Sequence, residues 1–131
     1  LRLYSQGIEI KRFIDDMELN EKFDMTGSFG GAFYLSGRGQ DIKDMKGYFN
    51  TDADGGVLII RDKTFLENVA KQSNQPLDIL VESFRNYNYN NGMIKLGMES
   101  GNLTMDMRLD GKAGKRNLTV VLHDFNKEER P

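Results

Sequence analysis

The sequence predicts an α+β domain that is rich in β-structure: a mostly antiparallel, curved sheet of about seven strands, with two or three amphipathic helices packed on one side. Two observations carry this prediction. Apolar residues alternate with polar ones over several short segments, which is typical of half-buried strands. Elsewhere they recur at the spacing of one helical face. With 131 residues, we expect a single domain, 1–131, with a real core.

Composition excludes several classes of function. The net charge of −2 comes from 18 basic and 20 acidic residues, so no broad positive field is expected to attract nucleic acid. Cysteine is absent, which removes disulfides, thiol nucleophiles and Cys-type zinc sites. No apolar run approaches the length of a transmembrane helix. The chain begins with Leu1 instead of Met, and we interpret it as a processed protein or a fragment of a larger one.

The first half of the chain predicts a helix between strands. A short strand is expected over Leu1–Ser5, ending at Gly7, and then a helix of about three turns that ends near Asn20. From Phe23 to Ser36 the apolar period is two, which predicts one long strand with glycines inside it. A helical or turn segment is expected over Asp41–Lys46.

A β-hairpin and two helices are expected next. The turn Asp52–Gly56 contains Asp-Gly, a strong hairpin signal, and predicts that strands 46–52 and 57–61 pair with each other. Asp62 is expected to cap a helix over Thr64–Lys71. A second helix follows Pro76, with Leu77, Leu80, Val81, Phe84 and Tyr87 on one apolar face; the Asn-rich run 86–92 ends it.

Three alternating segments close the chain and predict a meander of strands. They are Met93–Glu99, Asn102–Asp110 and Asn117–Phe125, each bounded by turn signals, and a polar tail follows. Their apolar side chains are our candidates for a ligand-facing surface. The candidate lipid-facing residues are Ile94, Leu96, Met98, Leu103, Met105, Met107 and Leu109. The face that they form is either ordinary core or part of an open apolar groove for a flexible ligand such as a lipid chain.

Catalytic and metal-binding patterns are weak. His123 is the only histidine, and its strand pattern indicates a partly buried histidine. Ser28 lies in Gly-Ser-Phe-Gly-Gly, within a strand pattern and not at a strand-to-helix turn, as a nucleophile elbow requires. The segment Asp52–Gly55 opens like a calcium loop but lacks the ligands that should follow. We therefore expect no enzyme activity, no metal and no cofactor.

Two sets of segments carry a resemblance. The predicted helix and meander comprise residues 77–87, 92–96, 101–111 and 118–122, and the glycine-rich strand and turn units comprise residues 26–31, 35–39 and 47–49. The helix and meander resemble the C-terminal region of YdbH-type proteins, which has carried the label "dicarboxylate transport". The glycine-rich units resemble the wider AsmA-like family, which includes TamB and YdbH-type proteins. A Gly-Pro-Gly-Gly type turn expected of YdbH is not present.

The resemblance implies a location, a function and partners. It implies the C-terminal region of a large periplasmic protein of a Gram-negative bacterium, anchored in the inner membrane. Such proteins offer an apolar β-groove that carries phospholipid acyl chains towards the outer membrane, without catalysis. The alternative is a structural or protein-interaction module that caps the groove or docks another envelope protein. An open sheet edge also predicts a possible homodimer of the isolated chain through an edge strand.

Overall fold

The computed structural model describes residues 2–38, 41–99 and 101–122. These residues contain nine strands and three helices. In chain order they are β1 Arg2–Glu9, α1 Ile10–Asp16, β2 Phe23–Met25, β3 Ser28–Arg38, β4 Asp41–Thr51, β5 Gly56–Ile60, α2 Lys63–Ser73, α3 Leu77–Ser83, β6 Tyr87–Tyr89, β7 Asn91–Glu99, β8 Asn102–Gly111 and β9 Gly114–Leu122. A six-stranded antiparallel sheet has the order β1-β3-β4-β7-β8-β9, and a smaller sheet has the order β2-β5-β6. The predicted α+β class is confirmed.

Strand β1 continues through Gly7, so the prediction that this glycine ends the strand is wrong. The pairing of β1 with β3 shifts between Ser5 and Ile8, which is a β-bulge. Gly7 adopts a φ of 69°, and its N–H donates to Oδ2 of Asp52 at 2.7 Å. The hydroxyl of Ser28 donates to Oδ1 of the same carboxylate at 2.7 Å. These bonds, the one from Gly7 first, hold the pKa of Asp52 below its ordinary value.

Helix α1 is shorter than predicted because the chain turns to bury Leu19. The helix was expected to reach Asn20 but ends at Asp16. Glu18 adopts a left-handed φ of 58°, and the N–H of Leu19 donates to the carbonyl of Ile14 at 2.8 Å. Leu19 is then buried, with 2% of its surface exposed. Burial of this side chain therefore takes precedence over a third helical turn.

The predicted long strand from Phe23 to Ser36 is two strands that lie in different sheets. The break is at Thr26 and Gly27, where Gly27 has a φ of 132° that favours glycine. Strand β2 pairs with β5 in the small sheet, whereas β3 pairs with β1 and β4 in the large one. The alternating pattern does not change across this break, so it could not reveal it.

Two further predictions for the first half are wrong. The segment Asp41–Lys46 is not helical: it forms the first part of the continuous strand β4, which pairs with β3 along its length. Strands β4 and β5 also do not form the predicted hairpin, although the chain does bend at residues 53 and 54 of the predicted turn. Strand β5 pairs with β2 and β6 instead. The turn thus carries the chain from one sheet to the other.

Helix α2 confirms the prediction of a capped helix after Asp62, whose side chain accepts a hydrogen bond from the N–H of Thr64. It ends at Ser73, and the C-cap residue Asn74 has a left-handed φ of 56°. Helix α3 begins after Pro76 as predicted, but it ends at Ser83 and does not reach Tyr87. Tyr87 begins strand β6 in the small sheet.

The predicted C-terminal meander is confirmed. Strands β7, β8 and β9 pair consecutively and antiparallel, and Ile94 lies opposite Met107. The structure describes β9 as far as Leu122. His123, the predicted strand end at Phe125 and the polar tail lie outside the described residues.

The core lies between the inner face of the large sheet and a cover formed by the small sheet and the three helices. One continuous cluster of buried apolar side chains includes members of both sheets and of all three helices. Two tyrosines of β6 fix the small sheet in place. The hydroxyl of Tyr87 donates to the carbonyl of Gly114 at 2.6 Å, and that of Tyr89 donates to the carbonyl of Thr26 at 2.5 Å.

Burial raises the pKa of Tyr89 above its ordinary value. We expect Tyr89→Phe to lower the free energy of unfolding by about 1–2 kcal/mol, because the carbonyl of Thr26 loses its partner. The unfolded chain ionises its tyrosines from about pH 10, whereas folded Tyr89 keeps its proton there, so wild-type stability should fall as the pH rises above this value.

Urea unfolding between pH 8 and 11 measures both effects. The variant should be less stable at pH 8 and should lose less stability at alkaline pH than the wild type. Tyr34→Phe is the control, since Tyr34 is exposed. Equal pH dependence in wild type and Tyr89→Phe would contradict this role of Tyr89.

Candidate functional site

The inner face of the large sheet consists of rows of side chains that cross all six strands. The strand register places Leu3, Phe33, Gly47, Leu96, Met105 and Val120 in one such row. The next row lies two residues further along β1. It consists of Ser5, Gly31, Phe49, Ile94, Met107 and Leu118. Residues in a row share a face because side chains alternate along each strand.

Each of these rows contains one glycine beside a phenylalanine of the neighbouring strand. Phe33 lies beside Gly47, and Gly31 lies beside Phe49. A Cβ atom placed on Gly47 would lie 2.7 Å from the ring of Phe49 and 3.4 Å from that of Phe33, so both rings lie close over this glycine. The two rings therefore occupy the space that a side chain at Gly47 would fill.

A cavity of about 340 Å³ occupies this part of the inner face. It is lined by Leu3, Ser5, Ile8, Ile10, Phe13, Phe29, Gly31, Phe33, Phe49, Ile94, Leu96 and Met105. Strands β1, β3, β4, β7 and β8 supply most of this lining. The cavity opens beside β1, where 49% of the Leu3 surface is exposed. Its volume is at the lower end of the range of small-molecule sites.

Helix α1 contributes Ile10 and Phe13 to the wall opposite the sheet. The bulge of β1 directs the chain into this helix, and the N–H of Ile10 donates to the carbonyl of Gly27 at 3.0 Å. Ile10 is buried and Phe13 is half-buried. The amphipathic pattern that predicts α1 therefore also places an apolar wall over the cavity.

The cavity lining carries no ionisable side chain. Among the lining residues that the structure describes, Ser5 has the one polar side chain. The charged side chains of α1 lie on its exposed face, where Lys11 and Asp15 form an ion pair at 3.7 Å. Such a pair contributes little to stability. A ligand in this cavity would therefore be held by apolar contact, with no charge to fix a headgroup.

The structure separates the seven predicted lipid-facing residues into three groups. Ile94, Leu96 and Met105 line the cavity and are themselves buried members of the core cluster. Met107 and Leu109 lie on the same face of β8 and are buried in the core cluster without lining the cavity. Of the remaining two residues, Leu103 is buried and Met98 is half-buried; neither lines the cavity.

Most of the lining residues come from the first half of the chain, which the sequence-based prediction of the site did not include. Phe33 and Phe49 were each assigned to strands, but their approach to Ile94 depends on the pairing of β4 with β7. Ile8 faces the cavity only because the bulge in β1 shifts the alternation. A usable signal was the combination of Phe and Gly at alternate positions of β3 and β4.

Ser28 and Asp52, which were considered as a nucleophile and a calcium ligand, bind each other and lie outside the cavity lining. The Ser28 hydroxyl donates to the carboxylate of Asp52, and this carboxylate also binds the N–H of Gly7. Within residues 2–38, 41–99 and 101–122, no group of three or more His, Cys, Asp or Glu side chains could hold a metal ion. In the same part of the chain, no helix is long and apolar enough to span a membrane.

The outer face of the large sheet exposes three tyrosines, with 74% of Tyr4, 39% of Tyr34 and 53% of Tyr48 accessible. Tyr4 and Tyr48 both lie in register with Ala32, one on each side. The ammonium group of Lys95 lies 5.7 Å from the centre of the Tyr48 ring. Exposed tyrosines are frequent at protein interfaces.

Comparisons with known proteins add no relative: no family model, no curated protein and no solved structure matches the chain.

Proposed function

We propose that the chain is a non-enzymatic binding domain that holds a lipid acyl chain in the cavity beside β1. The apolar cavity between the sheet and α1 is the single observation that carries this proposal. Apolar lining, a volume of about 340 Å³ and one open side suit a flexible hydrocarbon. Because the lining carries no ionisable residue, the cavity is suited to bind the acyl chain of a lipid and does not select a particular headgroup.

The resemblance to AsmA-like proteins supports a biological setting for this activity. In that setting the chain is part of a periplasmic protein of a Gram-negative bacterium, anchored in the inner membrane. It would take part in phospholipid transport to the outer membrane and in maintenance of the envelope. Phospholipid acyl chains are then the ligand, and other envelope proteins are possible partners.

The expected affinity is modest. Burial of about eight methylene groups would gain about 6 kcal/mol, at about 0.8 kcal/mol each. A gain of about 6 kcal/mol alone corresponds to a dissociation constant of tens of micromolar. The association cost weakens binding further, so a dissociation constant of hundreds of micromolar or weaker is expected for a single acyl chain. Phosphatidylethanolamine and phosphatidylglycerol that carry the same short acyl chains should bind equally well, because no lining residue distinguishes their headgroups.

A pair of neighbouring substitutions in β1 tests the proposal. We expect Leu3→Asp to weaken binding of a fluorescent fatty acid at least about tenfold, because it places a carboxylate in the apolar lining. Tyr4→Asp is the matched control: it is the next residue, faces the other side of the sheet and is more exposed. It should leave binding unchanged.

Fluorescence titration measures these affinities, and circular dichroism melting confirms that both variants fold. Equal effects of Leu3→Asp and Tyr4→Asp would contradict a ligand site on the inner face. Absence of binding by the wild type would refute the proposal itself.

A docking module is the second candidate function, and the exposed tyrosines of the outer face favour it. On this alternative Tyr34 and Tyr48 contact another envelope protein, and the cavity is only imperfect packing. The two functions make opposite predictions for the titration, since a docking module should not bind the fatty acid. If the chain binds the fatty acid, Tyr48→Ala should leave that binding unchanged, because Tyr48 lies on the outer face.

A further inference from the structure

Within the described residues, strand β1 forms an uncovered edge of the six-stranded sheet. In the described part of the chain it pairs with β3 alone, and residues 3–7 are exposed. The opposite edge is different, because α2 contacts β9. An uncovered edge presents unpaired N–H and C=O groups, which can pair with a further strand.

The sequence of β1 complements itself when it is read backwards. Its eight residues are Arg-Leu-Tyr-Ser-Gln-Gly-Ile-Glu. A two-fold axis between Ser5 and Gln6 would place Arg2 opposite Glu9 of a second, antiparallel copy. Opposite charges in such directly facing positions stabilise a strand pair.

Between these ends, the same pairing places residues opposite each other that lie on the same face of the sheet. Leu3 and Ile8 both line the cavity, so they lie on the same face of β1 and would meet across the axis. Tyr4 would lie opposite Gly7, and an aromatic ring beside an edge glycine is a known stabilising pair. Each apolar residue of the strand thus receives an apolar neighbour on its own side of the sheet.

The bulge in β1 favours a second copy over a different strand. The bulge inserts one extra residue between Ser5 and Ile8 relative to β3. In a regular strand the side chains alternate between the two faces without a shift. If such a strand paired with β1, its apolar side chains would lie on the same face as those of one half of β1 and on the opposite face from those of the other half. A second copy carries the same bulge in the opposite direction, so Leu3 and Ile8 stay in register on both sides of the axis.

We propose that two copies of the chain associate through antiparallel pairing of their β1 strands about a two-fold axis. The two large sheets then form one continuous twelve-stranded sheet. Each cavity opens beside β1, so the two cavities meet at the axis, and the partner's Ile8 covers the exposed Leu3. Such an interface uses the same surface on both copies and therefore closes at the dimer. This association does not require a bound lipid.

Sedimentation of the purified chain tests the dimer, with an expected mass of twice 15.0 kDa. Glu9→Arg places like charges opposite each other at both ends of the strand pair and should raise the dimer dissociation constant about tenfold or more. Arg2→Glu combined with Glu9→Arg restores both opposite-charge pairs and should restore the dimer. Glu9 makes no side-chain capping bond to α1, so the fold should persist in both variants.

Cross-linking tests the register, since the natural chain has no cysteine. An equal mixture of Arg2→Cys and Glu9→Cys proteins should form disulfide-linked dimers under mild oxidation. Arg2→Cys alone should not, because the two cysteines would lie about 23 Å apart.

Three results would overturn the proposal. A wild-type chain that remains monomeric at its highest soluble concentration would show that the β1 edge does not self-associate. Open-ended polymers would exclude a closed two-fold interface. Equal cross-linking of Arg2→Cys alone and of the mixture would exclude the proposed register.

Discussion

The variant Met107→Asp is expected to unfold the chain or to lower its free energy of unfolding by about 4 kcal/mol or more. Met107 is 1% exposed and lies in the centre of the core cluster. A carboxylate there has no partner and no access to water, and such burial costs several kcal/mol. That cost is a large fraction of the stability of an ordinary domain.

Met105→Asp should cost less than Met107→Asp. Met105 lies two residues away on the same face of β8 and is also buried, with 2% of its surface exposed, but it lines the cavity, whose open side gives water a route to an introduced carboxylate. Met107→Leu keeps the volume and the apolar character of the side chain, and should cost less than about 1.5 kcal/mol. Urea unfolding followed by circular dichroism measures all three variants.

The comparison between the two aspartate variants distinguishes a closed core from an open inner face. Equal destabilisation by Met105→Asp and Met107→Asp would mean that the face of β8 is closed along its whole length. The cavity would then hold neither water nor a ligand next to Met105.

The second large effect is expected for Gly31→Ala. A Cβ atom on Gly31 would lie 1.9 Å from the carbonyl oxygen of Tyr48 and 2.9 Å from the Cα atom of Phe49. Both atoms belong to the backbone of β4, so no side chain can move aside. Strands β3 and β4 would have to separate, and we expect a loss of about 3 kcal/mol or more.

Gly97→Ala is the matched control in the same sheet. The nearest atom to a Cβ there is the hydroxyl oxygen of Thr104, at 3.3 Å, and this side chain can adjust. Its expected cost is below about 1 kcal/mol in the same urea experiment. Equal stability of the two variants would contradict the close approach of β3 and β4 at Gly31.

Local signals predicted the second half of the fold well. Strands β7, β8 and β9 follow one another with short turns, so each pairs with its neighbour in sequence. The Asp62 cap of α2 is also a local interaction, made with Thr64. Pairings and caps of this kind depend on residues that are close in the chain, and a sequence pattern reports them directly.

Competition between pairing partners explains the errors in the first half. Residues 52–55 are typical of a hairpin turn, but β5 pairs with β2 and β6, which lie far away in the sequence and cannot be identified from the residues beside β5. The spacing of Ile42 and Met45 is compatible with a helix, but β3, the strand that directly precedes this segment, pairs with it as an antiparallel neighbour. In that case the helical spacing of two residues was a weaker signal than pairing with the adjacent strand.

The sequence predicted only those residues of the candidate site that lie in the C-terminal meander. Ile94, Leu96 and Met105 lie in the meander, where the alternating pattern identifies the inner face. Phe13 and Phe33 belong to the lining because α1 and β3 are brought against that face by the register of the whole sheet. Such a register becomes evident only when the strand order is known.

The most direct test of the acyl-chain proposal is nuclear magnetic resonance of the methionine methyl groups with a spin-labelled fatty acid whose nitroxide lies near the chain end. We expect the Met105 signal to broaden first, because this side chain lines the cavity. Met25, buried in the small sheet and outside the lining, should broaden less than Met105. Equal broadening of both signals, or none at Met105 under saturating fatty acid, would contradict a lipid site in the cavity.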